Sequence, residues 1–146
     1  MTAGQQPLWT CPACGRRFAN RNQWHACGSP TTLDAHFVGK EPHVRAILER
    51  LVDVTRENGP FDVIPEKTRI AFFIRMSFAA FTVKRRWVDG HVILARQLEH
   101  PRFTKVITYG PHNHEHDFRL TTVDEVDDDV AGWLSEAYAV GEQQHR

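Results

Sequence analysis

The sequence predicts an α+β fold: an antiparallel sheet of about five strands with two long helices, preceded by a small separate segment. Three observations carry this. One apolar stripe at helical spacing runs from Val44 to Val54, and a second from Val130 to Tyr138. Between them, residues 61–121 break into short β-rich stretches divided by turn residues. All cysteines of the chain, Cys11, Cys14 and Cys27, lie ahead of the first stripe. The expected division is residues 1–30 for the small segment and 31–146 for the α+β domain.

The 146 residues are 41% apolar and 25% charged, enough for one ordinary domain and an appendage. No apolar run approaches the ~20 residues that a membrane helix needs. The opening MTAGQQPLWT has neither a basic nor an apolar signal region. An odd number of cysteines in one short window speaks against a disulfide framework. The expectation is a cytoplasmic protein with reduced thiols.

Those thiols have a metal-ligand pattern. Cys11-Pro12-Ala13-Cys14-Gly15 lets one tight turn aim two thiolates at a single ion. His25 and Cys27, two residues apart, share a side only on extended or irregular backbone. The expected cofactor is one zinc ion on Cys11, Cys14, His25 and Cys27, with His36 the alternative fourth ligand. Residues 1–30 thus read as zinc-finger-like, with Phe18 packing on the metal turn and Asn20 capping a single helical turn to Trp24.

Residues 28–32 are a linker, and Thr31 or Thr32 can cap a short turn through Phe37. Pro42 suits the first position of the long helix that follows, and Asn58-Gly59-Pro60 stops it. Strands are expected at 61–64, 70–74, 78–88, 91–98, 103–109 and about 114–121. Asp89-Gly90 reads as a two-residue hairpin turn that sets Trp87 opposite Val92. Five acids between Asp124 and Asp129 favour a helix N-terminus, with Asp127 as its cap and Gly141 as the stop.

Two constellations suggest binding. His112, His114 and His116 alternate, and on a strand they would share one side, a geometry suited to a divalent metal with Glu115 or Asp117 nearby. The second is electrostatic. The net charge is zero, yet residues 1–33 carry +3, 69–105 carry +6 and 106–146 carry −7. Either the acidic end folds back on the basic middle, or a basic surface serves a polyanion. In the second case Arg16, Arg17 and Arg21 on the finger, and Lys84, Arg85, Arg86 and Trp87 on the sheet, would contact nucleic acid. No GxSxG elbow, phosphate loop or dinucleotide glycine pattern occurs, and no catalytic residue stands out.

The runs WTCPACGRRFANRNQWHACG, HFVGKEP, GPFDVIPEKTRIAFFIRMSFAAF, RRWVDGHVILARQLEHPRF and VDDDVAGWLSEAY resemble a bacterial family, the domain of unknown function 5655. The resemblance spans about residues 9–143 and implies a small cytoplasmic bacterial protein. It carries no activity and no catalytic residues. The reading from sequence is a zinc-binding, non-enzymatic binding module with nucleic acid as first partner. The alternative is a small-molecule or metal-handling domain using the sheet surface and His112, His114 and His116.

Overall fold

The computed structural model describes residues 7–12, 15–21 and 32–143. Cys14, His25 and Cys27, the linker up to residue 31 and most of the expected turn after Asn20 lie outside the described residues.

A two-stranded hairpin comes first: β1 (Trp9–Thr10) pairs antiparallel with β2 (Arg17–Phe18), Trp9 opposite Phe18. A 3-10 turn at Asp34–Phe37 follows; its N-cap is Leu33, with no side-chain cap bond, and Thr32 Oγ1 accepts from the Ala35 N–H. Helix α1 (Pro42–Arg56) begins on proline, whose missing N–H costs nothing at that position. Its predicted stripe of Val44, Ile47, Leu48, Leu51 and Val54 is buried. The stop at Gly59 has φ 142°, and a Cβ there would lie 2.5 Å from the Tyr138 hydroxyl. That hydroxyl donates to the Pro60 carbonyl and ties the end of α1 to the last helix.

Six strands form the main sheet: β3 (Asp62–Pro65), β4 (Ile70–Phe73), β5 (Ser77–Val83), β6 (Val88–Leu94), β7 (Lys105–Gly110) and β8 (Asn113–Leu120). All neighbours are antiparallel, in the order β3-β4-β5-β6-β8-β7. The six strands correspond to the six stretches expected one by one, one more than the sheet of about five, and the short one ending in Pro65 joins as an edge strand, a position that tolerates proline. Helix α2 (Asp128–Gly141) closes the fold. Asp127 caps it as predicted, accepting from the Val130 N–H. Both helices lie on one face of the sheet, α2 over β5 and β6 with α1 beside it. The dry layer between contains Phe72, Phe81, Val92, Phe118, Leu120, Trp133 and Leu134.

The hairpin reading at Asp89-Gly90 is corrected. Both residues lie within β6, and the turn is Lys84–Trp87, closed by the Lys84 N–H on the Trp87 carbonyl. Ala79, not Trp87, therefore pairs with Val92. Gly90 is needed for space rather than for turning. It sits opposite Phe81, whose ring atoms lie 2.5 and 2.7 Å from where a Cβ would be.

The acidic C-terminal region does fold back on the basic middle. Arg96 binds Glu136 and Arg102 binds Asp127, both at 3.0 Å.

Candidate functional site on the uncovered sheet face

Strand alternation sends every second residue of the sheet away from the helices. Near the β3 edge that outer face includes Ile64 of β3 and Phe73 of β4, which are covered by the N-terminal hairpin. Cys11, Phe18 and Phe73 form a small buried cluster with Trp9 and Ile64 against it. Toward the middle the face turns polar. The register lines up Ala71, Ala80, His91, Asp117 and Lys105 across five strands. The next row sets Thr82 beside Asp89 and Asp89 beside Arg119. Two alanines beside His91 leave its imidazole room. A recess of about 350 Å³ opens there, bordered by Arg69, Thr82, Asp89, His91, Thr104, Asp117 and Arg119. A second, shallower one of about 230 Å³ lies on the Glu115 side, again bordered by Arg69 and His91, with Tyr109.

His91, Glu115 and Asp117 form the floor between the two. One ligand atom from each lies within 4.8 Å of the others. His91 is directly opposite Asp117, and Glu115 is two residues along the same strand. Burial, with Arg69 adding to it and Glu115 partly offsetting it, pushes the His91 pKa down. Burial also acts on Asp117, and a hydrogen bond and like charge from Glu115 add to it. Together they push this carboxyl up to about 7. Burial opposes ionisation of Glu115 too, but Asp117, His91, the Tyr109 hydroxyl and Arg69 outweigh it and hold that carboxyl below its ordinary value. Tyr109 donates to Glu115 Oε1 at 3.2 Å. Asp117 Oδ1 is buried with no donor among the described residues. Two carboxyls can hydrogen-bond only if one carries a proton, so a proton shared with Glu115, or a cation, would be needed to satisfy Oδ1.

Residues 33–141 match the family described as a domain of unknown function (DUF5655). The chain belongs to this family. No curated protein and no solved structure matches the chain. The matched span takes in both helices, the six-stranded sheet and the recess, and leaves the N-terminal hairpin outside.

Within the DUF5655 domain, the three alternating histidines do not converge on the outer face. His112 is exposed in the turn before β8, whereas His114 and His116 point to the core side and are buried. His116 accepts from the Leu98 N–H through Nε2 and donates through Nδ1 to the His114 carbonyl. His114 pairs with Thr108 Oγ1 and the Pro111 carbonyl. Each of these rings has both nitrogens engaged. The same alternation sends Glu115 and Asp117 to the opposite, polar face.

The two basic segments sit at opposite ends of β5. Arg16 stacks over Phe18 and Phe73, and Phe73 pairs with Ser77, where β5 begins. Lys84, Arg85 and Arg86 are exposed in the turn after β5 ends, where Arg86 meets Glu41. Trp87 presents its ring to Arg119, 4.6 Å away, and its N–H to Asp89. Arg17 and Arg21 are exposed on the N-terminal segment.

Of the thiol set, Cys11 is described and buried. Its turn is closed twice, by the Gly15 N–H on the Cys11 carbonyl and the Cys11 N–H on the Arg16 carbonyl, with Gly15 at φ 75°. His36 directs Nε2 at the Glu66 carbonyl, 2.7 Å away.

Sequence reasoning missed His91, Glu115, Asp117 and Arg69 as a group. The usable signal was parity: in a strand whose histidines face the core, the intervening acids face out. His91 reaches them only through the register of β6 on β8, which no local pattern specifies.

Proposed function

We propose that this DUF5655 protein is a zinc-stabilised, non-enzymatic binding module. Its ligand is a small molecule bearing a carboxylate or phosphate, held on the uncovered sheet face. One observation carries the reading: three ionisable groups with displaced pKa values meet at the floor of a recess on central strands. Groups shifted by burial and by specific neighbours inside a concavity are candidate binding groups with a physical rationale. Arg69 borders both recesses, and although its Nε donates to Glu66, its terminal N–H groups can be offered to an oxyanion. The N-terminal zinc set is Cys11, Cys14, His25 and Cys27. The doubly closed Cys11 turn supports it, and the bond from His36 to a backbone carbonyl favours His25 as the fourth ligand.

The test is a two-dimensional NMR screen of the whole chain against small phosphates and carboxylates, with DNA and RNA oligonucleotides at low salt in parallel. Shifts centred on Gly90, His91 and Asp117, and lost in Arg69→Ala, are expected. Binding of oligonucleotides alone, with shifts at Arg17 and Arg85, would overturn this reading in favour of nucleic acid. Native mass spectrometry tests the zinc set: Cys14→Ser and His25→Ala should each lose the ion, and His36→Ala should keep it.

A further inference from the structure

We propose that His91, Glu115 and Asp117 form a metal site separate from the cysteine site, for a divalent ion of the zinc and manganese class, at the floor of the outer-face recess. It deepens the small-ligand reading above, because an ion held by three protein groups keeps positions open toward the recess for an oxyanion.

The geometry is the first support. The ligand atoms lie within 4.8 Å of one another. An ion with bonds of ~2.1 Å in tetrahedral geometry sets its ligands roughly 3.4 Å apart. Modest χ rotations close that gap, since all three residues stand on neighbouring strands whose backbones are already fixed. The second support is Asp117 Oδ1. It is buried, and no N–H or O–H among the described residues reaches it. Without a partner, a buried carboxylate oxygen carries a desolvation cost that a cation removes. A third support is the surrounding shell. Tyr109 donates to Glu115 Oε1 and so fixes the orientation of that carboxylate, as outer partners do around metal ligands. The donor set then selects the ion. One imidazole with two carboxylates suits Zn²⁺ or Mn²⁺; calcium takes six to eight oxygens, and soft-metal sites are built on sulfur. Within the matched family span, this ion would sit where Arg69 can hold the far side of the same ligand.

Manganese separates this site from the N-terminal one, because thiolates select softer ions. Chelator-treated full-length chain is titrated with Mn²⁺ and read by electron paramagnetic resonance and by paramagnetic broadening of amide signals. The expected result is one Mn²⁺ per chain, broadening centred on Gly90, His91, Glu115 and Asp117, and displacement by Zn²⁺. Binding should weaken at least tenfold in His91→Ala and in the isosteric Asp117→Asn, and persist in Cys14→Ser. Broadening centred on Asp127–Asp129 instead, or no saturable Mn²⁺ or Zn²⁺ binding beyond the cysteine site, would overturn the proposal. The wild-type broadening map needs no variant to fold. A phosphate or carboxylate that binds metal-free chain, is unaffected by His91→Ala and is lost in Arg69→Ala would overturn the metal site and leave the ligand reading standing. Metal binding with no small ligand would do the reverse.

Discussion

Replacing Gly90 by alanine should destabilise the domain by about 2 kcal/mol, although alanine normally suits such backbone. The φ of Gly90 is not in the positive region, so the loss of unfolded-state freedom alone would stabilise by roughly 0.5–1 kcal/mol. Space decides against it. The added methyl would lie 2.5 and 2.7 Å from two Phe81 ring atoms, where carbon contacts normally need ~3.5–4.0 Å. The ring must retreat by about 1 Å, and Phe72, with its centroid 4.9 Å away, stands in its path. Phe81 itself is fully buried. Overpacking of this kind costs about 2–3 kcal/mol, which leaves a net loss near 2 and a melting point lower by about 8 °C. Urea denaturation and calorimetry measure it. Phe81→Leu in the same chain should relieve the clash, so that the double variant loses at least 1 kcal/mol less than the sum of the single ones. Gly90→Asn discriminates further. At a type I′ turn asparagine is welcome, whereas within β6 it should cost more than alanine. A Gly90→Ala variant within about 0.5 kcal/mol of wild type, or strict additivity with Phe81→Leu, would refute the packing argument.

Three further outcomes are expected. Asp127→Ala should cost about 1 kcal/mol of stability in urea, with Asp127→Asn costing less, because asparagine keeps the cap on Val130 but gives up the Arg102 pair. His116 is held below its ordinary value of 6.5, chiefly by burial. The unfolded chain therefore takes up that proton first, so this contribution to stability is complete above about pH 6.5 and is lost as the pH falls below it. Histidine NMR should find the His116 midpoint below 6.5, and a midpoint above it would contradict the hydrogen-bond assignment. On the proposed zinc set, a chelator should shift amide signals of residues 62–73, where the hairpin covers Ile64 and Phe73, and leave those of α1 and α2 in place. Cooperative loss of every signal would show that the N-terminal segment is integral to the main core.

The helices were the most legible part of the sequence. Their buried faces are set by spacing within a single segment, and Pro42 and Asp127 act locally. Gly141, read as the stop, is instead the last residue of α2, where a Cβ would lie 2.5 Å from the Phe78 ring. The sheet was legible in content but not in pairing. Asp89-Gly90 carries a strong hairpin signal, yet a glycine wanted for its missing side chain looks the same in sequence as one wanted for its backbone. The histidines of β8 were rightly placed on one side of a strand, but their side is the core. Two acids between buried histidines are outward-facing by necessity, and their partner His91 comes from a strand paired only after the chain has run out to the edge and back. Long-range pairing of this kind leaves no periodic trace.

The strand order has a kinetic consequence. The chain leaves β6, passes over the place next to it to build β7 at the rim, and then returns β8 into the gap. Hairpins such as β5–β6, whose pairing begins at Val83 and Val88, close short loops and can zip early. The β6–β8 ladder, whose pairing begins at Leu94 and His114, must wait for a longer loop to close. The floor residues Glu115 and Asp117 arrive with that last insertion. The recess is thus complete only once β8 has docked on β6, and amide protection in β8 should appear after protection in β4, β5 and β6 during refolding. Until β8 docks, β6 is an open edge, and a chain paused there offers it to a neighbour's strand, which makes this step the one most exposed to misassembly.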